Sequence, residues 1–201
     1  MAKPLMSIIM GLNVRHGERL PIIGPAIIVA NHNSHLDTLG LMSLYPLSVL
    51  SKVHPVAAMD YFMINPVMKW LSLNLIGIIP IDRKARERGE DPFKQCYQAL
   101  DEGRILIIYP EGTRGEPERL STFKKGLSHL VERYPQVPVV PIFLHGFGKA
   151  LPKGEVVLVP FFCDIFVGNP LFFDHNRDSF MQNLEQNFRE LAANLHLPHW
   201  E

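Results

Sequence analysis

Three stretches of this chain are apolar from end to end yet only as long as a strand: AIIVA at 26–30, ILIIY at 105–109 and VVPIFL at 139–144. A half-exposed strand alternates apolar and polar residues, whereas a short unbroken run marks a strand covered on both faces. Between these runs lie segments whose apolar residues recur at helical spacing. Strands that alternate with helices build a layered α/β domain around a largely parallel central sheet flanked by helices. Strands are predicted over 12–16, 26–30, 56–59, 78–82, 105–109, 139–144, 156–160 and 164–167. Helices are predicted over 34–43, 64–74, 92–102, 124–133 and 177–195. The last helix has the clearest period, with Phe180, Leu184, Phe188, Leu191 and Leu195 on one stripe suited to core packing.

A chain of 201 residues that is 47% hydrophobic and 20% charged suits one globular domain over 1–201. Lys+Arg and Asp+Glu balance at 20 each, which removes the global basic field that nucleic acid would need. Cys96 and Cys163 stand far apart in sequence, with neither metal-ligand spacing nor a disulfide framework, and read as small buried side chains in a reducing compartment. No apolar run reaches the roughly 20 residues of a spanning helix. The N-terminal MAKPLMSIIMGL lacks a small-residue cleavage site and reads as mature protein whose apolar residues graze a bilayer at most.

Chemistry gathers where the strands end. The run at 26–30 passes directly into Asn31, His32, Asn33, Ser34, His35 and Asp37. Ser34 or Asn33 suits a helix N-cap, and Asp37 then lies in the first turn, at the positive end of the helix dipole. Residues five apart do not share a helix face, so His32 and Asp37 meet only if the chain bends between strand and helix. A carboxylate so placed holds the imidazole through Nδ1 and leaves Nε2 for a proton, the base-and-orienter half of a catalytic triad. The chain has no G-x-S-x-G elbow and no cysteine beside a histidine, so a nucleophile for this base would come from the substrate. On spacing alone, His32 is equally readable as a satisfied polar residue at a strand end. A metal site from His32, His35 and Asp37 is a third reading, but ligands that close together with no second cluster do not define a coordination sphere.

A second strand, RILIIYP, runs into Glu111, Gly112, Thr113 and Arg114, and then into FKKG at 123–126. Arg114 has the planar fork that grips two phosphate oxygens, and Lys124 and Lys125 add positive charge near a helix start. A third strand, GIIPIDR, delivers Arg83. Each arginine alone reads as a surface ion pair. In a parallel sheet, however, strand C-termini share one edge, where ligands bind, so His32, Arg83, Glu111 and Arg114 are expected to converge. The loop RKARERGED at 83–91 reads as a solvated, mobile connector or as a basic surface for anionic head groups. The Met- and aromatic-rich stretch at 57–77 reads as a packed helix with its loop, or as an apolar groove with Lys69 and Trp70 at head-group depth.

Taken together, these residues resemble the glycerolipid acyltransferase family, typified by the 1-acylglycerol-3-phosphate acyltransferases. N-H-x-x-x-x-D matches Asn31, His32 and Asp37; a block ending I-D-R matches 77–83; E-G-T-R matches 111–114, with F-K-K-G at 123–126; and an apolar V-P-x-x-P strand matches 137–141. The blocks occur in family order over about 24–170. Pro80, where many members carry Phe, and Gly115, where Ser is common, depart from the pattern.

The resemblance implies a fold like that of the glycerol-3-phosphate acyltransferases and an O-acyltransferase with no cofactor beyond its donor. His32, oriented by Asp37, would take the proton of an acceptor hydroxyl, which attacks the thioester of acyl-CoA or acyl-carrier protein without an acyl-enzyme. Arg114, with Arg83 and Lys124 or Lys125, would hold the phosphate of lysophosphatidic acid or a related lysophospholipid, and Glu111 would shape that site, with His35 a bystander. The partners implied are the thioester donor, the lysophospholipid and a membrane surface, with acyl-carrier protein among them and nucleic acid excluded. The place implied is the cytoplasmic, inner face of a membrane, peripherally bound. Transfer to another acceptor, thioester hydrolysis with water in place of the alcohol, and non-catalytic binding of acyl lipids are the competing functions.

Overall fold

The computed structural model describes residues 11–34, 36–59, 66–115, 121–150 and 162–193. A seven-stranded sheet runs through the molecule in the order β1-β7-β6-β2-β5-β3-β4. The strands are β1 (Asn13–Arg15), β2 (Ala26–Ala30), β3 (Val53–Ala58), β4 (Ile79–Ile81), β5 (Ile105–Ile108), β6 (Val139–His145) and β7 (Asp164–Val167). β2 pairs in parallel with β5 and β6, and β3 with β5 and β4. β7 runs antiparallel to β6 and parallel to β1. The sheet is thus largely parallel, and the C-terminal ends of β2, β3, β4, β5 and β6 lie along one edge.

The unbroken apolar strands are explained by helices on both faces. Ile27, Val29, Leu106, Ile108, Val139 and Phe143 point to one side, where they meet helices α4 (Lys94–Asp101), α5 (Gly126–Arg133) and α7 (Arg177–Ala193). Ala26, Ile28, Ala30, Ile105, Ile107, Val140 and Ile142 point to the other, against Leu41 and Met42 of helix α1 (Leu36–Ser43) and against Phe147. Odd and even positions of one strand therefore feed separate cores. The stripe of the last helix packs as expected, with Phe180, Leu184 and Phe188 buried; Leu195 lies outside the described residues, as do the predicted strand at 156–160 and His35.

Several boundaries differ from the sequence expectation. β3 begins at Val53 rather than 56, passing through Pro55. Its first half pairs with β5 and its second half with β4, so each half has a strand on one side only and tolerates a missing donor. The helix expected over 64–74 becomes an α-helical segment, α3 (Pro66–Leu71), followed by a π-helical turn, Ser72–Ile76, that ends at Gly77 in a left-handed conformation. Two short helices, α2 (Leu47–Leu50) and α6 (Phe147–Ala150), were not legible, being only one turn long. The loop after β4 is largely exposed, as expected of a solvated connector, and holds a 3-10 turn, Ala85–Arg88, with Ala85 buried and Arg88 paired to Asp82 and Glu90.

Candidate active site

The bend between β2 and α1 is built by one carboxylate. Asp37, fully buried, accepts the backbone amides of Asn33 and Ser34 on Oδ2, at 2.7 and 2.8 Å. Ser34 Oγ in turn accepts the Leu36 amide at 3.2 Å. A third-position carboxylate reaching back to the amide at the cap is half of a capping box, here with Asp in the usual place of Glu. The same Oδ2 lies 2.9 Å from His32 Nδ1. An oxygen already taking two N–H donors serves as an acceptor, so Nδ1 is the donor in this contact.

His32 is held from other directions as well. Its ring stacks on Tyr109 with centroids 4.1 Å apart and planes at 19°. The Tyr109 hydroxyl shares a 2.8 Å hydrogen bond with Thr38, the residue after Asp37. The backbone of His32 grips the loop beyond β5: its amide donates to Glu111 Oε1 at 3.3 Å, and its carbonyl accepts from Gly115 at 2.9 Å. Burial pushes the Glu111 carboxyl up to about 7, against the lowering effect of the His32 amide and Ser121. Alongside, the carboxamide of Asn31 donates to the Leu144 carbonyl and accepts its amide, at 2.8 and 2.7 Å.

The loop 111–115 is clasped from its other side by the basic residues. Arg83 donates to the Gly112 carbonyl at 2.6 Å, and the Lys124 amide donates to the Pro110 carbonyl at 2.8 Å. Gly112 is in the left-handed region, φ 70°, and a Cβ there would sit 2.9 Å from Lys124 Nζ. The positive φ favours glycine at this position, and the lysine tip packs against the space its missing Cβ leaves. His32, Arg83, Glu111, Gly112, Arg114 and Lys124 therefore share one edge of the sheet, and Arg114 precedes the residue bonded to His32. Thr113 and Lys125 are exposed, the latter at the N-cap of α5, and their side chains join no hydrogen bond or ion pair among the described residues. Among the described residues no group of three His, Cys, Asp or Glu side chains could hold a metal.

Sequence reasoning assigned no role to Tyr109, Thr38 or the Asn31 side chain. The signal for Tyr109 was there, an aromatic with a polar tip closing an apolar strand. Its partner lay seventy-one positions away in the chain.

A histidine braced by a buried carboxylate at the C-terminal edge of a parallel sheet, with an arginine and a lysine against the next loop and a second arginine within it, has the chemistry of a base beside an anion cradle. The family model described as Acyltransferase matches residues 11–145, and the chain belongs to that family. The chloroplastic 1-acyl-sn-glycerol-3-phosphate acyltransferase of Arabidopsis thaliana is 34% identical over 145 residues, which cover 72% of this chain and 38% of that protein. The alpha form of Mus musculus is 30% identical over 145 residues, covering 72% of this chain and 48% of that protein. The chain thus spans less than half the length of these relatives. The crystal structure of the 1-acyl-sn-glycerophosphate acyltransferase PlsC from Thermotoga maritima superposes with a TM-score of 0.76 at 20% identity, over 100% of this chain and 78% of that one, and shows that the fold is shared.

Proposed function

We propose that this chain transfers a fatty acyl group from an acyl thioester, acyl-CoA or acyl-carrier protein, to the hydroxyl of lysophosphatidic acid or a related lysophospholipid. The observation that carries this reading is Asp37 Oδ2, which takes two backbone amides and His32 Nδ1 at once. That arrangement holds one tautomer of His32 with Nε2 as base. Nε2 takes the proton of the acceptor hydroxyl, and the oxygen attacks the thioester carbonyl carbon. Collapse of the tetrahedral intermediate breaks the C–S bond, and the leaving thiolate takes the proton back from the imidazolium. No covalent intermediate with the protein forms. Arg114, with Arg83 and Lys124, binds the acceptor phosphate, supported by Arg83 and Lys124 meeting at Gly112 in the loop that carries Arg114. The names of the relatives from Arabidopsis thaliana and Mus musculus support this acceptor.

Such substrates lie in membranes. Among the described residues no helix is long and apolar enough to cross one. Trp70 and Leu75 are 63% and 75% exposed beside exposed Lys69, a combination suited to resting at head-group depth on the cytoplasmic face. The test is an acyl-transfer assay on vesicles containing lysophosphatidic acid, following free thiol and phosphatidic acid together. Equal release of both supports the reading. Thiol without phosphatidic acid, at a rate indifferent to Arg114→Ala, would make the chain a thioester hydrolase.

A further inference from the structure

The order of the strands decides which helices share a face. The crossovers from β2 to β3 and from β3 to β4 step towards one edge of the sheet, and those from β4 to β5 and from β5 to β6 step back. Right-handed crossovers then place α1, α2 and α3 on one face and α4 and α5 on the other. The packing agrees. Leu41 of α1, Leu50 of α2 and Ile76 of the π-helical turn meet one core, whereas α4, α5 and α7 meet the other. The outer surfaces of the two layers differ in kind. Those of α4, α5 and α7 are polar, with Gln98, Asp101, Glu132, Gln182 and Arg189 exposed. The α1–α2–α3 layer and its π-helical turn expose Leu39, Leu47, Trp70, Leu73 and Leu75, and among the described residues no other helix exposes a large apolar side chain. Residues 38–77 hold one of the chain's 20 acidic residues, Asp60, which lies outside the described residues. They also hold two lysines, Lys52 and Lys69, both exposed.

We infer that the outer face of the α1–α2–α3 layer rests on an anionic bilayer, so that the helix carrying Asp37 is itself part of the lipid contact. Apolar side chains on such a face leave water at the acyl boundary, while lysines beside them reach the head groups. Among the described residues of this layer no acidic side chain is exposed to oppose a negative surface, and the two lysines are drawn to it. Leu39, 48% exposed, stands two residues beyond Asp37, so the contact continues up to the edge of the sheet where His32 lies. An acceptor then reaches His32 from the leaflet without crossing water. The inference rests on the proposed reaction for its choice of a lipid partner, but binding is measured without any substrate.

The experiment compares vesicles of phosphatidylcholine alone with vesicles of equimolar phosphatidylcholine and phosphatidylglycerol, with no acyl donor present. Trp200→Phe leaves Trp70 as the one tryptophan of the full chain. Its emission is expected to shift to the blue on the anionic vesicles, and binding there to be roughly 10-fold tighter than to phosphatidylcholine. In co-sedimentation Leu39→Glu, Leu47→Glu and Trp70→Glu, each first shown to be folded, are expected to weaken binding about 10-fold. Phe172, 55% exposed beside the start of β6, lies at the opposite edge of the sheet, and Phe172→Glu should bind as wild type does. Trp70 emission that stays unchanged while the protein binds would overturn the inference, whether or not the glutamate variants fold. Equal binding to the two vesicles, or no binding to either, would also overturn it. A dimer that Leu47→Glu or Trp70→Glu splits would do the same, giving the face to a second copy of the chain. Kinetics separate the contact from the reaction. Leu47→Glu is expected to lose about 10-fold on vesicle-borne lysophosphatidic acid and to keep the wild-type rate on a short-chain, water-soluble one. A wild type that binds anionic vesicles through Trp70 yet transfers nothing would remove the proposed reaction and uphold the contact.

Discussion

Asn31 and Leu144 hold each other through two hydrogen bonds, side-chain amide to carbonyl at 2.8 Å and backbone amide to side-chain oxygen at 2.7 Å. A single carboxamide thereby continues the pairing of β2 and β6 past the last regular residue of β2, immediately before His32. Both residues are almost wholly buried. Asn31→Ala would strip both backbone partners in a place water does not reach. At about 1–3 kcal/mol per buried polar group left unpaired, the expected loss is roughly 2–4 kcal/mol in urea unfolding. A loss below about 0.5 kcal/mol would mean that the bracket contributes little.

Gly40 lies on the buried side of α1, where a Cβ would come within 2.5 Å of the Phe147 ring. Glycine to alanine inside an exposed helix stabilises by about 1 kcal/mol. Here the added methyl meets a fully enclosed phenyl ring, and overpacking costs about 1–3 kcal/mol. Gly40→Ala is therefore expected to lower the thermal midpoint instead of raising it. Because α1 carries Asp37, kcat should fall as well, about 10-fold or more.

Glu111 links pH to stability. Its carboxyl is pushed up to about 7 by burial, from an ordinary value of 4.5. The folded state then binds more protons than the unfolded state between those values, so stability declines as pH rises through this window. Glu111 contributes fully below about 4.5 and loses that contribution by about 7. Urea unfolding of wild type and Glu111→Gln should show a slope over this range in the former that is flatter in the latter, by a total on the order of 2–3 kcal/mol. Parallel curves would contradict the assigned shift.

Arg114 is assigned to the acceptor and not to the thioester. Arg114→Ala is expected to raise KM for lysophosphatidic acid about 10- to 100-fold while changing KM for the acyl donor less than about threefold. Initial rates with each substrate varied in turn would show it. An effect confined to the donor would move the phosphate site elsewhere.

Much of this molecule was legible in its sequence because the informative residues are close together in the chain. The strands at 26–30 and 105–108 declare themselves by unbroken apolar runs, since both sheet faces are covered. The His32–Asp37 pair could be argued from a strand that bends into a capped helix. What stayed hidden depends on distant partners or on very short elements. Pro55 disguised the start of β3, whose one-sided pairing can be seen only in the sheet. The π-helical turn at Ser72–Ile76 shifts the helical period partway along. Tyr109 and Thr38 find each other only after β5 has been placed beside β2.

The most direct measurement is the rate of thiol release with lysophosphatidic acid for wild type, His32→Ala and Asp37→Asn, each first shown to be folded. Removing the base should cost about a thousandfold or more in kcat, and Asp37→Asn, which no longer holds the Nδ1–H tautomer, should come close to it. Phosphatidic acid formation should fall in step with thiol release in both variants. A folded His32→Ala that transfers acyl groups within tenfold of wild type would contradict the central claim that His32, aimed by Asp37, is the base.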